Sequence, residues 1–217
     1  MLPDITELSL VFLGNFNPAI FHPSWLELKK LLTEDELKYT KTEIINPHLS
    51  KFRVAWAEFV VTDNRFQLNC TDGTSFESLR DLALGIFAIL EETPLTAFGF
   101  NNIHHYKLNP EQYIEFGNIL APFNNWNDIL VNPKVLNLEM IQENREDEYK
   151  GSKRIRISPS NLVDPNGLKI HINDHFDLTD FKEMGKKLKV ISDNWDSTFN
   201  YTNHVTESLL KKGKVWK

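Results

Sequence analysis

The sequence predicts an α+β protein: a mostly antiparallel sheet with long amphipathic helices packed on one face. The expected organisation is one unit over 1–217, with 1–131 and 132–217 as candidate similar halves. Three stretches carry this. In "FRVAWAEFVVTDNRFQLNC" two apolar and aromatic runs meet at Asp63–Asn64, residues that tolerate the positive φ of a two-residue hairpin turn. After "TSFE", residues Phe76, Leu79, Leu82, Ile86 and Leu90 repeat at helical spacing. From Phe181, the positions Met184, Leu188, Ile191, Trp195, Thr198, Thr202, Val205 and Leu209 keep one seam on one side of a helix.

The remaining elements follow in order. "LSLVFLGNF" is rich in strand formers, and Pro23 suits the first turn of a helix over 23–32. Thr33 and Glu36 have capping-box spacing, in which hydroxyl and carboxylate each satisfy an orphan amide, and Thr74 and Glu77 repeat it. The helix after Thr74 is expected to end near Thr93–Pro94. "LTAFGFNNIHHYKL" reads as a strand, and Asn109 with Pro110 caps and starts the helix "NPEQYIEFGNIL". "KVLNLEMIQ", "KRIRIS" and "GLKIHINDHF" read as three more strands, the last preceded by the turn "DPNG". The closing helix, about 29 residues at 1.5 Å each, would span roughly 43 Å. It therefore bends along a whole sheet or projects toward a partner. The two expected covering helices occupy about 75–92 and 179–211.

Composition narrows the function classes. With 217 residues, 41% hydrophobic and 12% aromatic, the chain has ample material for a core. A net charge of -6 argues against nucleic acid as a direct ligand, because non-specific binding needs clustered Lys and Arg. "KGSKRIRI" is basic, but "ENREDEY" precedes it, and together they read as an exposed charged hairpin. Cys70 is the single cysteine, which excludes an internal disulfide, and its alternation with Phe66 and Leu68 marks a small core residue. No segment approaches the roughly 18 apolar residues of a membrane span, so the cytoplasm is the expected compartment.

Histidines supply the candidate chemistry. His171 and His175, with Asp174 or Asp177 as acidic neighbour, are ligand types suited to Zn, Fe or Mn. On a strand both would leave the core side together, but about 13 Å apart, too far for one metal unless the chain bends. Solvated surface histidines are the simpler reading. His104 and His105 are neighbours, so a strand points them to opposite faces. By phase with Phe98, Phe100 and Tyr106, His104 is expected to be buried and hydrogen-bonded, and His105 to face solvent or a partner. His22 and His48 adjoin prolines, in loop or helix-start positions. No nucleophile elbow, phosphate loop, His-Glu-x-x-His or dinucleotide fingerprint occurs. Neither a catalytic residue nor a cofactor is expected. The candidate partner-binding residues are His105 and, on the terminal helix, Trp195 and Leu209.

The stretches "FNPAIFHPSWL", "AWAEFVVTDNRFQLNCTD" and "SFESLRDLALGIFAILEETPLTAFGFNNIHHY", with the terminal helix, resemble a sporadically distributed family of uncharacterised bacterial proteins. Such patchy distribution accompanies mobile defence or toxin–antitoxin loci. The resemblance implies a non-enzymatic protein-interaction subunit of a bacterial cytoplasmic assembly, an antiphage defence complex, as a homo- or hetero-oligomer. The alternatives are a metal-dependent enzyme acting on nucleotides or nucleic acid, and an antitoxin or immunity protein whose acidic surface suits a basic toxin.

Overall fold

Nine strands form one sheet in the computed structural model, which describes residues 1–215. The strands are β1 (Ile5–Gly14), β2 (Lys41–Ile45), β3 (Leu49–Arg53), β4 (Glu58–Thr62), β5 (Arg65–Cys70), β6 (Leu95–Lys107), β7 (Leu138–Gln142), β8 (Gly151–Pro159) and β9 (Gly167–Asp177). Their order is β2-β3-β4-β5-β1-β6-β9-β8-β7, and every pairing is antiparallel. The helices are α1 (Pro23–Leu28), α2 (Glu34–Leu37), α3 (Phe76–Ile89), α4 (Pro110–Leu120), α5 (Met184–Asp193) and α6 (Trp195–Lys212). Among the described residues, no helix is long and apolar enough to cross a membrane.

The period-2 pattern decides which side of the sheet the helices cover. Leu8, Leu10 and Phe12 of β1 lie opposite Cys70, Leu68 and Phe66 of β5, and opposite Asn102, Phe100 and Phe98 of β6. These residues face the helices. A large apolar cluster joins all of them but Asn102 to Phe21, Leu26, Leu79, Phe87, Ile191 and Trp195. A second cluster lies toward the β8 side, where Tyr106, Ile157, Leu168, Ile170 and Ile172 meet Phe116 of α4 and Val205 and Leu210 of α6.

Several local expectations hold in detail. The β4–β5 hairpin turns at Asp63–Asn64, with Thr62 opposite Arg65, although neither turn residue adopts positive φ. Thr33 and Glu36 form their capping box, and Asn109 with Gln112 forms another at the start of α4. The expected Thr74–Glu77 box does not form. Asp72 instead accepts from the Thr74 amide and both neighbouring hydroxyls, opening a 3-10 turn that runs into α3. That helix gives way at Leu90, short of Thr93.

Larger differences concern the edges and the last helix. "FRVAWAEFVV" is two strands, β3 and β4, turned at Val54–Ala57, and β2 joins them as an edge that the sequence pattern did not reveal. The expected single helix over 179–211 is broken at Asn194, whose side-chain amide donates to Val190 O at 2.8 Å. The seam survives the break because α6 resumes in phase, with Thr198, Thr202 and Thr206 buried against the sheet. Across the 131/132 boundary of the candidate halves, β6 pairs with β9 from Ala97↔Asp177 to Lys107↔Gly167.

Candidate functional site

The side of the sheet without helices carries polar side chains. One cross-strand row runs Lys41, Arg53, Glu58, Asn69, Ser9, Asn101, Asn173, Arg154 and reaches Ile141 at the β7 edge. Within it Arg53 pairs with Glu58 at 3.2 Å, Asn69 donates to Glu58 at 3.0 Å, and Asn173 donates to Asn101 Oδ1 at 3.0 Å. A cleft of about 550 Å³ opens over this row, lined by Glu7, Ser9, Trp56, Gln67, Asn101 and His171. Closely spaced, mutually bonded amides of this kind rigidify the face, since each leaves little polar capacity unspent.

The metal candidates His171, His175 and Asp174 are split by the strand pleat. His171 and His175 lie on this polar face, half-buried rather than fully solvated. Asp174 points the opposite way, under the helices, where it is buried. Its carboxylate is held by the guanidinium of Arg145, which also contacts Asp147 at 2.5 Å and lies 3.7 Å over the Phe176 ring. Arg145 is therefore a core residue, a correction to the reading of "ENREDEY" as wholly exposed. Burial pushes the His171 imidazole down to about 4, with Arg156 and Lys169 adding to the effect. In the neutral ring Nε2–H donates to Asn101 Oδ1 at 2.9 Å. Among the described residues, no group of three or more His, Cys, Asp or Glu is placed to hold a metal ion.

His104 follows its expected phase in part, while His105 reverses expectation. His104 takes the helix-covered face, as its phase requires, and meets the Tyr106 hydroxyl at 3.2 Å, but it is only half-buried. His105 lies on the polar face and is 1% exposed. The reason is the turn after β8, whose Ser160 hydroxyl reaches His105 Nδ1 at 2.7 Å. Ser160 Oγ also accepts from the amides of Leu162 and Val163, so its own proton goes to Nδ1. His105 Nε2 then lies 3.3 Å from Glu7 Oε1. This Ser–His–Glu arrangement has the composition of a nucleophile triad, but its hydroxyl has spent both lone pairs on backbone amides and is buried. It acts as a latch that holds the turn onto the sheet. Ser160 and Glu7 were not legible as partners of His105, because 55 residues separate the first pair.

Of the other proposed partner residues, Trp195 is buried and Leu209 is partly buried. Trp195 packs edge-on to Phe100 and Phe199, and Leu209 packs on the second apolar cluster. Exposed apolar side chains gather elsewhere, in the connection from α4 to β7 and on β7 itself. Trp126, Ile129, Leu130 and Leu136 are exposed, Val131 is 93% exposed, and Met140 and Ile141 on the strand are 62% and 49% exposed. Beside them a hollow of about 1000 Å³ lies between α4 and residues 123–135, with Ile157 and Leu168 in its lining. The sequence signal was available: "NNWNDILVNP" sets a run of large apolar residues among asparagines, where no strand or helix period could bury them. No protein-family model matches this chain, and the search of curated proteins found no match to it.

Proposed function

We propose that this chain is a protein-interaction subunit of a bacterial cytoplasmic assembly, with the α4–β7 connection and β7 as its docking surface. One observation supports the reading above others: Trp126, Ile129, Leu130, Val131, Leu136, Met140 and Ile141 are exposed within one short stretch of chain at one end of the sheet. Large apolar side chains left exposed so close together in the chain are candidates for a site that a partner covers. The resemblance to a patchily distributed bacterial family adds the suggestion that the assembly serves antiphage defence. The test is affinity purification of tagged full chain from cells carrying its neighbouring genes. The unaltered protein is expected to retain a partner that Ile129→Asp with Val131→Asp loses, since both side chains are exposed and their replacement leaves the core intact. Recovery of neither an untagged second copy nor another protein, or equal recovery by the double variant, counts against the reading.

A further inference from the structure

The two edges of the sheet are built differently. At one end β2 is irregular, with a register shift between Thr42 and Ile44, and it carries Lys41 and Glu43, the latter paired with Lys51 at 2.7 Å. Bulges and edge charges of this kind keep other strands from adding. At the other end β7 is regular, paired with β8 from Leu138↔Ile157 to Gln142↔Lys153, and presents Met140 and Ile141. Its one charge, Glu139, is turned inward onto Arg154 at 3.2 Å and Arg156 at 3.0 Å. Nothing in the side chains of β7 opposes strand addition.

We infer that β7 pairs antiparallel with β7 of a second copy, joining two sheets edge to edge around a two-fold axis at Met140. This names a partner for the β7 part of the interaction surface proposed above and rests on that reading. Centring on Met140, the middle of β7, pairs the whole strand, and among the three central positions symmetry and charge together select it. A two-fold axis perpendicular to a continuous sheet requires one residue to lie opposite itself. Centring on Glu139 would place two carboxylates face to face, and centring on Ile141 would set Glu139 against Glu143 of the second copy twice over, each a like-charge pair that destabilises. Centring on Met140 sets Met140 against Met140, Glu139 against Ile141 and Leu138 against Gln142, with no like charges opposed. The thioether pair is apolar and adaptable, and the outward amides and carbonyls of both edges gain partners.

Cross-linking and light scattering test this on the full chain. The unaltered protein is expected to run as a dimer at micromolar concentration. Met140→Cys is expected to form a disulfide-linked dimer under mild oxidation, because self-opposed residues have Cα atoms about 4.5–5.5 Å apart, within disulfide reach. Ile141→Cys, displaced from its own copy along the strands by about 7 Å, is not. Met140→Lys is expected to be a monomer with unchanged circular dichroism, as its side chain is exposed. A monomeric unaltered chain overturns the inference, as does a dimer that Met140→Lys leaves intact or that Ile141→Cys captures as readily as Met140→Cys. A monomer that still retains a different protein through residues 126–141 sinks the self-pairing and leaves the interaction reading standing.

Discussion

His171 shows how a residue can be correctly placed from sequence and still misjudged. Strand alternation puts it on the side away from the core, and it is there, but the nine-stranded sheet surrounds it with Asn101, Ile103 and Arg156, so it is not freely solvated. Burial depth depends on how many strands flank a residue, which local pattern does not state. The same limit explains His105, hidden by a turn 55 residues away. A pH dependence follows from these environments. His104 and His171 are both pushed down to about 4 from an ordinary 6.5, chiefly by burial. Between those values the unfolded chain binds protons that the folded chain refuses, so stability falls as pH drops from about 6.5 to 4 and the loss levels off below. The depressed carboxyls of Asp72, Asp147 and Asp177 act in the same direction but only at lower pH, beneath their ordinary 3.8. Urea unfolding at pH 7 and pH 4.5 is expected to show that His171→Gln, which keeps an amide donor for Asn101, reduces the stability lost on acidification by on the order of 2 kcal/mol. An unchanged loss would mean that His171 takes up its proton freely in the folded protein.

Elements with local signals were legible, and elements defined by long-range pairing were not. The capping box at Thr33 and the cap at Asn109 were legible because each motif lies within four residues, although at Thr74 the neighbouring Asp72 takes the capping role. The seam of the terminal helices was legible as a period, and its break was signalled by Ser192, Asp193 and Asn194, residues that compete with the helix for backbone groups. By contrast β2 has no buried apolar alternation of its own and exists as a strand only through β3. The meeting of α4 with the end of α6 was also invisible, since it joins residues far apart in sequence. It depends on Gly213: a Cβ there would meet Phe116 Cδ2 at 2.1 Å, although its φ of -73° suits any residue. Gly213→Ala is expected to destabilise by about 1–3 kcal/mol through overpacking. Gly185→Ala in α5, where a Cβ meets nothing within 4 Å, is expected to be neutral or to stabilise by about 0.5–1 kcal/mol. Thermal melts of the two variants side by side decide the matter, and equal melting temperatures would show that the α4–α6 contact yields without cost.

At the scale of the whole molecule the candidate halves are interlocked by both layers. In the sheet, β6 from the first segment pairs along eleven positions with β9 from the second. Beneath it, the larger apolar cluster needs Met184, Val190, Ile191 and Trp195 from the second segment, while the smaller one needs Tyr106, Leu108 and Phe116 from the first. Neither core can be completed by 1–131 or 132–217 alone, and a segment that leaves its core open cannot offset the conformational entropy of folding. Unfolding in urea is therefore expected to be a single transition, with far-ultraviolet circular dichroism and tryptophan fluorescence coincident. Fluorescence samples both segments, because Trp25 and Trp56 report on the first and Trp195 on the second. Produced separately, 1–131 and 132–217 are each expected to show no cooperative transition. If the two probes gave separate midpoints, or either segment melted cooperatively by itself, the sheet would be two folding units that happen to share an edge. The polar row that crosses the open face would then be a contact between domains, and the proposed docking edge at β7 would belong to a unit whose stability does not depend on β1.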